Sequence, residues 1–91
     1  MNVEAIIEAH AHHFLKGLVI EVDGDKEALF VIRQYIVNGH IDSSQEHLLK
    51  TQLADTFKII GIGIPFILIP GASVLMPILL KVASKHHIDL L

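Results

Sequence analysis

Ile59-Ile60-Gly61-Ile62-Gly63-Ile64-Pro65-Phe66-Ile67-Leu68-Ile69-Pro70-Gly71-Ala72-Ser73-Val74-Leu75-Met76-Pro77-Ile78-Leu79-Leu80 is the stretch whose reading decides the fold. It runs for 22 residues without a charge, from just after Lys58 to just before Lys81, and Ser73 is its only polar side chain. As one helix it would measure about 33 Å, close to the roughly 30 Å of a bilayer core. Its thirteen Ile, Leu, Val and Phe residues would together favour insertion by about 4–8 kcal/mol. Three glycines and three prolines offset part of that. Pro65, Pro70 and Pro77 have no amide donor, so the carbonyls of Gly61, Phe66 and Ser73 would lose their helical partners. The sharpest break falls at Ile69-Pro70-Gly71. Such a break persists in a bilayer only when buried in protein or lining a wet cavity. The segment therefore reads as a kinked span or a re-entrant pair of half-helices. The competing reading is a soluble helical bundle with residues 59–80 as its buried core, since the two halves also have the length of core helices.

Upstream, Val3 to Val22 reads as an amphipathic helix. Val3, Ile6, Ile7, Ala11, Phe14, Leu15, Leu18 and Val19 share one face. Asp23-Gly24-Asp25 ends it, and a second helix is predicted from Asp25 to Val37 with Ala28, Leu29, Ile32, Tyr35 and Ile36 inward. Asn38-Gly39 stops that helix, because both residues tolerate left-handed backbone. A third helix is predicted from Ser43, with Ser43 and Glu46 at capping-box spacing and Leu48, Leu49, Leu53, Phe57 and Ile60 apolar. The fold class expected is all-α. Three amphipathic helices (1–58) precede a proline-broken apolar membrane segment (59–82) and a polar end (83–91).

The 91 residues carry a net charge of −3 and no cysteine. This excludes a disulfide framework and thiolate metal sites, and gives no basic field for nucleic acid. The N-terminus has acids and no basic residue before Lys16, unlike a leader or presequence, which favours a bacterial inner membrane over an organelle.

No cofactor site or enzyme active site is read from the chain. The histidines number seven, and His10 and His13 share a helical face, but no further ligands with zinc spacing accompany them. His86-His87 reads as the polar end of the apolar segment. Asp23-Gly24-Asp25-Lys26-Glu27 begins like a calcium loop, yet Ala28 and Gln34 stand where that loop needs Gly and Glu, so it reads as a helix cap. Gly61-Ile62-Gly63 lacks the preceding strand of a nucleotide fingerprint. Asp55 has two readings. It forms an i,i+3 pair with Lys58 on an exposed helix face, or it is an acid at the mouth of a membrane cavity. In the second reading Ser73 and the freed carbonyls around Pro70 and Gly71 would be oxygen ligands on an ion pathway.

Asn38-Gly39-His40, then Ala54-Asp55-Thr56-Phe57-Lys58, then Pro70 and Pro77 seven residues apart, then Lys81 four further on, occur in one order. Together they resemble the leucine zipper, EF-hand and transmembrane protein (LETM-like) family of mitochondrial inner membranes, which has bacterial relatives. The likeness covers residues 14–91. It implies an integral membrane protein in contact with lipid, exchanging potassium or calcium against protons and associating with ribosomes. One kinked span cannot enclose a pathway alone, so a transport role would require a homo-oligomer or a partner. Ser73 stands where the family commonly carries an acid, so the family's ion-binding chemistry does not transfer to that position. The large soluble domain that follows in the family would be missing, implying a minimal or truncated member.

Overall fold

The computed structural model describes residues 2–20 and 26–91. The Asp23-Gly24-Asp25 turn, the first part of the calcium-loop comparison and Val22 lie outside the described residues. The described residues form four α-helices: α1 (Val3–Ile20), α2 (Lys26–Asn38), α3 (Ser43–Ile59) and α4 (Ala72–Lys85). A short 3-10 turn, Phe66–Leu68, lies between α3 and α4. Among the described residues there is no strand, and the all-α expectation holds.

α1 opens on Asn2, whose Oδ1 accepts the Ala5 amide at 3.1 Å and satisfies one orphan donor of the first turn. Ile7, Ala11, Phe14, Leu15 and Leu18 recur at helical spacing and are buried. Val19, placed on that face by periodicity, is exposed. α2 buries Ala28, Val31 and Ile32 and ends at Gly39, whose φ of +80° sets the left-handed stop expected there. The capping box of α3 lies one residue earlier than Ser43 and Glu46. Asp42 accepts the Gln45 amide at 2.7 Å, and Gln45 Oε1 accepts the Asp42 amide at 3.1 Å. Asp and Ser cap about equally well, so the pair with the reciprocal partner wins. The Asp42 carboxyl is held below its ordinary value, first by the Gln45 amide and then by the Ser44 hydroxyl. This register leaves Glu46 free for another task.

The membrane span is not there. None of the described helices is long and apolar enough to cross a membrane, so the integral-membrane, ion-exchange and inner-membrane expectations fall with it. The cause is backbone chemistry. At Gly61 (φ +86°) α3 closes: the Ile62 amide donates to the Phe57 carbonyl at 2.7 Å and the Gly61 amide to the Lys58 carbonyl at 3.1 Å. This is the double bond of a Schellman ending. Pro65 and Ile69 are extended on either side of the 3-10 turn. Only α4 regains the helix, and its 14 residues reach about 21 Å.

Residues 60–71 instead form a strap that runs back along α3. Phe66 meets His47 and Lys50, and the start of α4 meets Glu46 in the first turn of α3. α4 then lies parallel to α1, since Lys81 meets Glu8 and His86 meets His12. Lys81, the first charge after the apolar run, donates from Nζ to Glu8 Oε1 at 2.7 Å on the surface. Solvent screens such an exposed pair, so it contributes little to stability.

The competing reading, with residues 59–80 as core, fits part of the run. Ile64, Ile69, Ala72, Leu75, Met76 and Leu79 are buried, whereas Ile59, Phe66, Ile67, Leu68 and Val74 are exposed. The buried described residues are all apolar. The radius of gyration, 11.9 Å, matches the roughly 12 Å of a packed domain this long, leaving no protruding span.

Candidate functional site

The strap presents Phe66, Ile67 and Leu68 outward at 38%, 86% and 50% exposure. The sequence produces this by bracketing four apolar residues with Pro65 and Pro70. Neither proline donates a backbone hydrogen bond, and both fix φ. Between them the Leu68 amide reaches the Pro65 carbonyl at 2.9 Å and the Ile69 amide reaches Phe66 at 3.1 Å. Ile64 and Ile69 anchor the two sides in the core. The result is a rigid apolar knuckle. Lys50 Nζ sits 4.9 Å from the centre of the Phe66 ring and the His47 ring lies 5.2 Å from it. The cation–ring attraction stabilises by about 0.5–1 kcal/mol at such an exposed position.

Of the residues expected on an ion pathway, Pro70, Gly71 and Ser73 lie together at the start of α4, and Asp55 does not join them. Gly71 is the N-cap residue of α4 and offers no side chain. Glu46 supplies the cap instead, its Oε2 accepting the Ala72 amide at 3.1 Å. A Cβ on Gly71 would approach Glu46 Oε1 to 3.3 Å, so glycine gives the carboxylate room. The negative charge also complements the helix dipole. Ser73 is exposed in the first turn of α4, and Asp55 is exposed on α3. Asp55 lies nine residues beyond Glu46, about 13 Å along the axis. Glu46, Lys50 and the Phe66–Leu68 knuckle were missed as functional candidates. The two prolines around Phe66-Ile67-Leu68-Ile69 were the available signal.

The histidines gather elsewhere. His12 stacks on His86 at 4.5 Å and tilts against His13 at 4.0 Å. Its Nδ1 is buried without a hydrogen-bond partner. Among the described residues no group of three or more His, Asp or Glu stands where it could hold a metal ion. Burial first, then the nearby His13, His86, Lys16 and His10, push the His12 imidazole below its ordinary value of 6.5. The unfolded chain therefore binds a proton more readily than the folded one. The stability that a neutral His12 contributes is present above pH 6.5 and is lost as pH drops from 6.5 through the folded value. The urea midpoint is expected to decline across that window, with a shallower decline in His12→Gln, which cannot charge. Parallel profiles for the two chains would refute this.

Comparison with models of protein families, with curated proteins and with solved structures finds no match to this chain.

Proposed function

We propose that the chain is a helical protein–protein interaction module that docks through the Phe66–Leu68 knuckle. The observation that carries this reading is three consecutive large apolar side chains held in solvent by a proline-bracketed turn, beside a core with no polar member among the described residues. A pre-shaped knuckle gives up little conformational entropy on binding, so most of its apolar burial is available as affinity. Lys50 at the rim favours a partner with an apolar groove and an acidic edge, because complementary charge speeds encounter and sets register. No active-site role is assigned to any residue.

The test places a photoreactive phenylalanine analogue at position 67 of the full chain in its native cells, with a control at the exposed Ser84 on α4. Discrete protein adducts from position 67 that are absent from position 84, and are weakened by Lys50→Glu, are expected. Identical patterns from the two positions would remove the knuckle as a docking site.

A further inference from the structure

A second surface, independent of the knuckle, lies on the outer side of α2. Phe30 is 56% exposed there, although Ala28, Val31 and Ile32 beside it are buried. Phe30 forms a ridge between two shallow clefts. One, of about 460 Å³, is lined by Lys26, Glu27, Val31, Gln45 and Leu48 with Phe30 as its wall. The other, of about 280 Å³, lies between Phe30 and Arg33, Gln34, Val37 and Asn38. An exposed aromatic ridge can stack on the same ridge of a second copy, which then covers the apolar clefts on either side.

The charges around Phe30 are arranged for that. Glu27 precedes it by three residues and Arg33 follows it by three. In two antiparallel copies of α2 with Phe30 on the two-fold axis, positions equidistant from Phe30 face each other. Glu27 of each copy then faces Arg33 of the other, and Lys26 faces Gln34, so every contact is made twice. Within the chain, Glu27 has no ion pair among the described residues. Arg33 uses its Nε to donate to the Leu90 carbonyl at 2.7 Å, which leaves its outer nitrogens for a carboxylate. A parallel pairing would bring Glu27 against Glu27 and Arg33 against Arg33, so the charge order also selects the direction. An isologous two-fold contact requires this kind of self-complementarity.

We propose that α2 is the contact face of a two-fold homodimer, with Phe30 at its centre and reciprocal Glu27–Arg33 pairs on either side.

Sedimentation equilibrium on the full chain, from about 1 to 200 µM to cover the usual range of weak homodimers, tests it. A reversible monomer–dimer equilibrium is expected. Phe30→Asp should raise the dissociation constant at least about tenfold, with helicity by circular dichroism unchanged because the side chain is exposed. Glu27→Arg and Arg33→Glu should each weaken the dimer, and the double variant should restore it, since the swapped charges again face opposite signs. A monomer at all concentrations, a dimer indifferent to Phe30→Asp, or a double variant no tighter than the singles would overturn the proposal. Ile67→Asp should leave the dimer intact. If it abolishes the dimer instead, the knuckle is the self-contact and the α2 assignment is wrong, while the docking role of the knuckle stands.

Discussion

Leu79→Ala is expected to lower the unfolding free energy by about 2–5 kcal/mol, while Ile67→Ala shifts it by no more than about 0.5 kcal/mol. Both residues belong to the same uncharged run and have similar transfer energies. They differ in where the backbone puts them. Leu79 is fully buried on α4 beside Leu75, Met76, Val82 and Ala83, on the helix that packs most extensively against α1. Its truncation leaves a void that close-packed neighbours refill only in part. Ile67 is 86% exposed at the knuckle and leaves no cavity. A domain of 91 residues has a total stability of about 5–14 kcal/mol, so the Leu79 loss is a large share of it. Urea titration reads the contrast directly, with the slope unchanged and the midpoint of Leu79→Ala far lower. Similar losses at the two positions would mean that the run is buried uniformly, as a single embedded or central helix would be.

That contrast locates what the sequence could and could not disclose. The periodicity of α1, α2 and α3 was legible because each has a charged side against which an apolar face stands out, and the start of α1 at Val3, the stop of α2 at Asn38 and the start of α3 at Ser43 fall within one residue of expectation. The Asn38-Gly39 stop was legible for a backbone reason. The run from Ile59 to Leu80 has no charged side, so summed hydropathy carries no phase and cannot tell a span from a strap. The backbone signals were present nonetheless. Gly61 follows the last apolar turn of α3 as Gly39 follows α2, and it takes the same left-handed conformation. A hydropathy sum spreads Gly61, Pro65 and Pro70 into small penalties, whereas in the chain each one redirects the backbone. Capping failed in a smaller way: Asp42/Gln45 and Ser43/Glu46 satisfy the same spacing, and only the partner 26 residues on, Ala72, explains why Glu46 is used elsewhere.

The candidate ion pathway was illegible for a related reason, since it assumed that residues near the run converge in a membrane. Pro70 and Gly71 lie where α4 starts, Ser73 stands exposed in its first turn, and the Ala54-Asp55-Thr56-Phe57-Lys58 motif divides cleanly by face. Ala54 and Phe57 are buried, while Asp55 and Lys58 are exposed. Division of this kind follows from the amphipathic face of α3 alone, with no need for an ion pathway.

Phe57→Ala is accordingly expected to cost about 3–5 kcal/mol, against a change within about 0.5 kcal/mol for Asp55→Ala. Phe57 is 1% exposed and among the largest fully buried side chains. Its position is doubly constrained, because its own carbonyl accepts the Ile62 amide that closes α3 at Gly61. Truncation would empty the core at the point where the chain leaves the helix and enters the strap. The damage should therefore extend beyond the cavity. Amide exchange is expected to accelerate at Ile62, whose hydrogen bond ends on Phe57, and at Leu68 and Ile69, whose bonds hold the knuckle. Asp55→Ala should leave all three protected. If Asp55→Ala proved the more costly, the division of this motif by face would be wrong, and if Phe57→Ala lowered stability without loosening the strap, the strap would hold its shape without α3. The prolines alone would then be enough to present Phe66, Ile67 and Leu68.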